Sequence, residues 1–552
     1  MSLADALERH RERCAAFRFD VPEHWNFGRD VVDRHAEGDA PALFWMGADG
    51  FERRLRFADV RDASNRIADL LASRGVAAGD PVIVMLPKIP EWHLAIVGAL
   101  KAGALVIPCS TILRAKDLVY RVGHSGAVAI VTTPALQPMV DEVRGELESV
   151  RDTFLVDGDA SEAPAGWTLL HEAMEQADPA CTGRETRADD PALVYYTSGT
   201  TGPPKAVLHD HGYTCTQRLT AEAWLGLGPG DRIWTTSDTG WAKAAYSVIF
   251  GPWSVGAEVC MYEGRFEPAL ELELLASFAP QVFCAPPTEY RLLVKEDLSG
   301  FSVPSLRECV SAGEPLNPEV IRAWQEATGL VIRDGYGQTE SILLVGNLPG
   351  IPVRPGSMGL ATPGHEVEII DEAGEIVPTD EPGDIAVGGA PPSLFREYWK
   401  DPEATARCHR ARPGHPDAPW YVTGDRAYRD EDGYFWFIAR ADDVIISAGY
   451  RIGPFEVESA LLEHPDVVET AAVAVPDPDR GHVVKAFVVL RAGVAGDDAL
   501  AEALKTHVKR VTAPYKYPRQ IEFVETLPKT ISGKIRRIEL RARTDEGDGS
   551  KP

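Results

Sequence analysis

The sequence reads as an α/β protein with parallel-type sheets, and three observations lead there. Short β-rich apolar runs alternate with helical patterns through the first three-quarters of the 552 residues, at the spacing of strand–helix–strand units. Around Val353–Tyr434 the texture changes to short strands punctuated by Gly and Pro, as in an antiparallel β-subdomain. After Asp443 a small α+β pattern follows.

In chain order, Pro81–Leu86 (PVIVML) is expected to be a buried strand, Glu91–Ala102 a helix and Ala104–Pro108 the next strand. Ala127–Thr132 follows after a further helical segment, and Ala192–Tyr196 is an apolar strand. Glu366–Pro378 and Gly383–Gly389 supply the short strands of the β-rich region. Past the proposed junction, Pro454–Leu462 and Ala499–Val508 are expected helices, with Val467–Val475 and Val484–Leu490 as strands. From Thr544 the tail TDEGDGSKP is polar and expected to be disordered.

Composition narrows the function classes. A formal charge of -27, from 56 Lys and Arg against 83 Asp and Glu, opposes general binding to nucleic acid or anionic membrane. The excess is uneven: Lys505–Arg543 holds 11 basic and 3 acidic residues, a cationic island suited to a small anionic ligand. The eight cysteines are scattered with no CxxC pair, which fits free thiols in a reducing compartment rather than a disulfide framework or zinc ribbon. The N-terminal MSLADALERHRERC carries acidic residues and no apolar core, so no signal peptide is expected. Apolar stretches such as Leu94–Leu100 fall well short of the roughly 18 residues that span a bilayer. A cytoplasmic, soluble protein with no membrane insertion is the expectation; its oligomeric state stays open.

Four motifs carry chemistry. Thr197–Lys205 reads TSGTTGPPK, a Gly- and hydroxyl-rich loop able to wrap phosphate oxygens and closed by a lysine. It is not a Walker A loop, because Pro203-Pro204 precede the lysine and no Ser or Thr follows it. Asp334–Glu340 reads DGYGQTE, placing a carboxylate able to hold a hard divalent cation beside a hydroxyl that can reach phosphate. In Tyr421–Asp425 (YVTGD) an acid at a strand end can accept from ribose hydroxyls, and Lys529–Arg537 (KTISGKIRR) presents Lys534 on a loop. Any one of these is equally a turn or a solvated face; their order along one chain is the signal. His209-Asp210-His211 lacks partners for tetrahedral metal ligation and is expected to start a helix. No G-x-S-x-G occurs, so hydrolase chemistry has no support.

The series TSGTTGPPK, YGQTE, TGD, RADD, GYRIGPFEVE and PKTISGK resembles the adenylate-forming superfamily of acyl-CoA synthetases, luciferases and peptide-synthetase adenylation domains. The resemblance covers nearly the whole chain. Within it, SDTGWAK, SAGYRIGPFEVESALLEHPDVVE and VTAPYKYPRQIEFV are similar to the medium-chain acyl-CoA synthetases.

That resemblance implies a large N-terminal domain, residues 1–441, of two parallel-type α/β subdomains and a small β-subdomain. A small mobile C-terminal domain, 442–543, follows with its hinge at Asp442. It implies ATP-dependent activation of a carboxylic acid to acyl-AMP, then transfer to CoA, with Mg²⁺ bound by Glu340. Thr197, Ser198, Gly199, Thr200, Thr201, Gly202 and Lys205 would close over the β- and γ-phosphates. Gly313, Glu314, Pro315, Asp334, Gly335, Tyr336, Gly337, Gln338 and Thr339 would line the adenine and α-phosphate site. Asp425 would take the ribose hydroxyls, with Arg440 nearby. Arg451 and Lys534 would come from the small domain, Lys534 bridging the attacking carboxylate and the α-phosphate. Ala448, Gly449, Tyr450, Arg480, Lys509, Tyr517, Pro518 and Arg519 match positions that contact CoA. Ala439 stands where relatives usually carry Gly.

For the acyl group, Gly337 stands where acetate-specific relatives place Trp, and Ala242 and Ala312 stand where they place valine. Beside Trp241, these imply a pocket for medium-chain, branched or small aromatic acids. Lys243 leaves two readings open: snorkelling to solvent or pairing with a structural carboxylate, or a polar or second-carboxylate handle on the substrate. Two rival functions also stay open at this stage, loading of a carrier-protein thiol and nucleotide binding without catalysis. Intact Thr339, Glu340 and Lys534 weigh against the second.

Overall fold

The computed structural model describes residues 2–156, 163–197, 204–447, 450–478, 480–529 and 534–547, with side chains as far as Thr544. The alternation read from the sequence becomes two large sheets. In one, the strands Pro41–Met46, Glu258–Tyr262, Arg232–Thr235, Val282–Cys284, Glu308–Ala312 and Ile332–Gly337 lie side by side and parallel. Antiparallel strands Glu52–Arg56 and Leu343–Gly346 flank this parallel block, and Leu360–Ala361 pairs beyond the second. In the other, Pro191–Tyr196, Leu105–Pro108, Pro81–Val84, Ala129–Thr132, Asp152–Leu155 and Thr168–Leu169 are parallel. Ala206–Asp210 turns back antiparallel on Pro191–Tyr196.

One apolar cluster draws on both sheets and on the helices Phe57–Ser73 and Pro90–Lys101. Of the latter helix only Glu91 is not buried, as an element surrounded by protein requires. Its last residue, Lys101, is 0% exposed and gives its ammonium to Asp33 and Asn65, both at 2.6 Å. A buried charge needs such partners. Asp210 caps the helix His211–Thr220 by accepting from the Tyr213 amide at 2.9 Å, so the His-Asp-His run starts a helix as expected.

The β-rich region is antiparallel: Val367–Ile370 pairs with Gly383–Val387, which pairs with Trp420–Arg429, which pairs with Phe435–Arg440. Here the sequence reading needs correction. The strand carrying YVTGD does not end at Asp425 but runs to Arg429. Gly424, at φ +76°, lets the strand pass through its irregularity, a backbone conformation costly for other residues.

In the small domain, Val467–Asp477 and Gly481–Leu490 form an antiparallel pair joined in parallel by Gln520–Phe523. Helices Pro454–Leu462 and Asp498–Val511 bury Val457, Leu461, Leu504 and Val508 in one cluster with these strands, while Leu540 of the helix Arg537–Gly547 belongs to another. That last helix is a second correction. It continues through the first residues of the tail expected to be disordered, with the Thr544 hydroxyl bonded to the Arg541 carbonyl. Among the described residues, no helix is long and apolar enough to cross a membrane.

Candidate active site

The carboxyl ends of parallel strands in both sheets deliver their loops to one cavity of about 1030 Å³, the usual place for a ligand in open α/β sheets. Arg232–Thr235 leads into Thr236-Ser237-Asp238, Val282–Cys284 into Glu289, and Glu308–Ala312 into Gly313-Glu314-Pro315; Ile332–Gly337 carries Asp334–Gly337. From the other sheet, Pro191–Tyr196 brings Thr197, whose amide donates to the Lys205 carbonyl at 2.9 Å and closes the phosphate loop at its base. Ser198, Gly199, Thr200, Thr201 and Gly202 lie outside the described residues.

Asp425 is the most heavily partnered acid of the site. Its Oδ2 accepts from the Tyr336 hydroxyl at 2.6 Å and from Gln338 Nε2 at 2.7 Å, while Arg440 stands 3.9 Å from Oδ1. Gln338 is itself fixed by the Tyr421 hydroxyl at 2.8 Å and the Thr423 carbonyl at 2.9 Å. Burial raises the Asp425 carboxyl above its ordinary value, and Arg440, Tyr336, Lys534 and Gln338 act against that. Deeper in, Asp334 is buried, and burial pushes its carboxyl up to about 8.

Glu340 lines the same cavity and accepts from the Tyr398 hydroxyl at 2.7 Å. The Lys205 ammonium lies 4.5 Å from the centre of that tyrosine ring, so Tyr398 ties the phosphate-loop lysine to the acid. The Thr339 carbonyl accepts from His209 Nε2 at 2.7 Å, which seats the motif on the neighbouring sheet. Among the described residues no group of three His, Cys, Asp or Glu forms a metal cage. A lone carboxylate beside phosphate-binding groups fits Mg²⁺, which usually takes one or two carboxylates plus substrate phosphates and water.

Lys534 reaches this cavity from the small domain, and its charge acts on Asp425. The seam between the domains is polar. Asn317 donates to the Ser459 hydroxyl at 3.2 Å and accepts from Arg291, which pairs with Glu314 at 3.6 Å. Before the small domain, Arg440 reaches Asp442 at 3.5 Å. Arg541 donates to the Asp442 carbonyl at 3.1 Å and to Asp443 at 3.0 Å.

Other expected site residues are not brought here. Arg451 sits exposed on the hairpin of Ile445–Ser447 and Tyr450–Ile452 and does not line the cavity. Lys534 and Arg451 stand on separate elements, and this arrangement presents the first. Among the described residues, those matched to CoA are also off the cavity. Tyr450 is 51% exposed and stacks on Tyr515 at 4.4 Å. Lys509 and Arg519 flank the Tyr517 ring at 3.9 and 5.0 Å, beside buried Pro518, and the Arg480 amide donates to Asp477. Ala448 and Gly449 lie outside the described residues.

Trp241, Ala242, Lys243, Ala312 and Gly337 do share the cavity wall. At Gly337 the structure adds a reason for glycine. A Cβ built there would stand 2.5 Å from the Ile342 carbonyl oxygen, where the pairing with Leu343–Gly346 shifts register. The position is closed to side chains by backbone, in addition to leaving the pocket open. Residues that sequence reasoning missed are Tyr398, Thr236 and Glu289, none of which falls in a motif with fixed spacing to its partner; Tyr421 stood in YVTGD without its bond to Gln338 being foreseen.

Residues 31–399 match the family model for AMP-binding enzymes, and 456–534 match that for the AMP-binding enzyme C-terminal domain. The chain belongs to the AMP-binding enzyme family. It is 45% identical over 542 residues to the mouse (Mus musculus) mitochondrial acyl-coenzyme A synthetase ACSM3, covering 96% of this chain and 92% of the relative. It is also 45% identical to the uncharacterized acyl–CoA ligase YtcI of Bacillus subtilis, over 96% and 98% of the two chains. Among solved structures, the anthranilate CoA ligase AuaEII in complex with anthranoyl-AMP superposes with a TM-score of 0.87 at 29% identity, over 100% of both chains. Within the AMP-binding enzymes the chain is an acyl-CoA synthetase of the medium-chain group, an AMP-forming acid–thiol ligase.

Proposed function

We propose that this synthetase prefers a medium-size carboxylic acid, medium-chain, branched or small aromatic, and that Mg²⁺ assists the first of its two half-reactions. The observation that carries the reading is one cavity lined both by Lys534, Asp425, Thr339 and Glu340 and by Trp241, Ala242, Ala312 and Gly337.

In the first half-reaction a carboxylate oxygen of the acid attacks the α-phosphorus of ATP and pyrophosphate leaves. Negative charge gathers there, so positioned cations and donors supply most of the catalysis. Asp425, held by Tyr336 and Gln338, accepts from the ribose hydroxyls, while Thr339 faces the α-phosphate. Lys534 lies between the acid's carboxylate and that phosphate. Glu340 would hold Mg²⁺, which supplies charge neutralisation to the phosphates when bound. In the second half-reaction the CoA thiolate attacks the acyl carbonyl and AMP leaves.

For that step a turn about Asp442 withdraws Lys534 and carries in the hairpin with Tyr450 and Arg451. The separation of Arg451 and the CoA set from the present cavity supports such a second arrangement. The eight free cysteines fit action in a reducing compartment, the cytoplasm.

The test is AMP release with and without CoA over acids from acetate to decanoate plus benzoate. A CoA-dependent maximum among medium, branched or aromatic acids is expected. Turnover confined to acetate would overturn the size assignment.

A further inference from the structure

The wall assigned to the acyl group is apolar except at one place. Lys243 points its ammonium at the Ala312 carbonyl, a single long hydrogen bond of 3.4 Å. Among the described residues, no carboxylate comes within ion-pair distance of it. Its charge nonetheless acts on two acids that share the cavity, half-buried Glu289 and buried Asp334. Asp334 bonds the Gly335 amide. The Glu289 Oε2 atom and the Thr236 hydroxyl oxygen are buried without a well-formed hydrogen bond, the hydroxyl lying near enough to act on the acid but leaving both atoms with capacity for a further partner. Beyond Glu289, Glu271 and Lys88 complete the set of charges around it, and Asp238 is tied to Ser110 and Gly240.

Buried polar atoms are ordinarily paired, and a plain alkyl tail driven against these would leave them unpaired and dry. The occupant can be argued by what each simple group offers. A second carboxylate accepts from Lys243 but lies against the Glu289 carboxyl. An amine donates to Glu289 but faces the Lys243 ammonium, and a ketone serves Lys243 alone. A hydroxyl accepts from the lysine and donates to the acid at once.

Resting on the reading of this wall as the acyl site, we infer that the pocket selects a hydroxylated carboxylic acid, whose hydroxyl is held between Lys243 and Glu289 with Thr236 beside it. Burial pushes the Glu289 carboxyl up to about 7, with the Thr236 hydroxyl and Lys243 acting against it, so the carboxylate acceptor predominates only above neutral pH. A site built around a substrate hydroxyl discriminates strongly against the analogue lacking it.

The experiment compares kcat/KM at pH 8 for matched acids: hexanoate with its 3-, 4-, 5- and 6-hydroxy isomers, and benzoate with its hydroxybenzoates. Adipate and 6-aminohexanoate serve as charged controls. At least one hydroxy acid should exceed its plain parent by about tenfold or more, and both charged controls should fall below that parent. In Lys243→Met and Glu289→Leu the hydroxy-to-plain ratio should collapse towards one, and Glu289→Gln should restore much of it. The ratio is the readout because partial misfolding lowers both members of a pair alike. Equal or lower turnover of every hydroxy isomer overturns the inference while leaving the synthetase reading intact. So does a preference for adipate, or a ratio that survives both apolar substitutions. Absence of ATP–pyrophosphate exchange with any acid would instead overturn the reading on which it rests.

Discussion

Asp425 shows how the site is set at the level of single residues. One of its oxygens is occupied by Tyr336 and Gln338, which fixes the carboxylate plane and leaves the other edge for a ligand. A hydrogen bond to a charged group is worth about 1.5–3 kcal/mol, so Tyr336→Phe should raise KM for ATP roughly tenfold or more. The effect on kcat should be smaller. Titration of the rate against ATP at saturating acid checks it, and an unchanged KM would show that Asp425 needs no such anchor. Asp425 and Tyr336 both stand in strings singled out in the sequence, YVTGD and DGYGQTE, although the bond between them was not foreseen. Glu289 and Tyr398 stand in no such string. Each acquires meaning from a partner more than forty positions away, Lys243 and Glu340 respectively, and only the packing of strands brings such pairs together.

At the scale of elements, the strand–helix alternation located the strands it named in one sheet, such as Pro81–Val84 and Pro191–Tyr196, to within a few residues, since buried strands announce themselves by apolar runs bounded by turns; the parallel strands of the other sheet were not named. The reading was weaker where polar residues sit in regular structure. YVTGD looked like a strand end because Gly-Asp usually breaks strands, yet pairing on both sides carries the chain through to Arg429. The polar tail looked disordered, yet the helix Arg537–Gly547 enters it and uses Arg541 to grip Asp442 and Asp443. Arg537 adds bonds to Glu458 at 2.7 Å and stands 3.6 Å from Asp443. This helix therefore braces the arrangement in which Lys534 lines the cavity. Arg541→Ala should slow acyl-AMP formation several-fold while leaving CoA transfer from supplied acyl-AMP near its original rate. Single-turnover measurement of each half-reaction decides, and equal slowing of both would show that the helix supports the fold rather than the hinge.

Across the whole molecule, charge buried away from partners sets a pH window. His93, His209, His211 and His365 are held down to about 4, chiefly by burial. Their folded forms bind fewer protons than the unfolded chain, so this part of the stability is lost as pH falls from about 6.5 towards 4. Glu271 works in the opposite direction. Burial, with Glu289 nearby, pushes its carboxyl up to about 8. The folded form then binds more protons than the unfolded one, and stability is withdrawn as pH rises from about 4.5 through 8, at about 1.4 kcal/mol per pH unit. Glu271→Gln should match the parent in Tm near pH 4.5 and exceed it by several degrees at pH 9. A Tm difference independent of pH would show that Glu271 does not titrate with folding. The order of the domains was legible from end to end, whereas this internal charge pattern was not, because burial is a property of the packed chain.

The contact between position 337 and the Ile342 carbonyl bears on how such a pocket changes over generations. The resemblance implies a tryptophan at the matching position of acetate-specific relatives, where it would shorten the pocket, and this suggests a single substitution as the route from long acids to short ones. Here that route is barred at its first atom. A side chain at 337 must wait until the backbone around Ile342 has moved aside, so a variant with the larger residue alone would lose the shape of DGYGQTE, and with it the nucleotide, before gaining any selectivity. Narrowing the acyl end would have to begin at Ala242 or Ala312, or with the loop itself. Libraries that vary Gly337 by itself should return no acetate-selective enzymes, and those that also vary Ser341–Leu343 should.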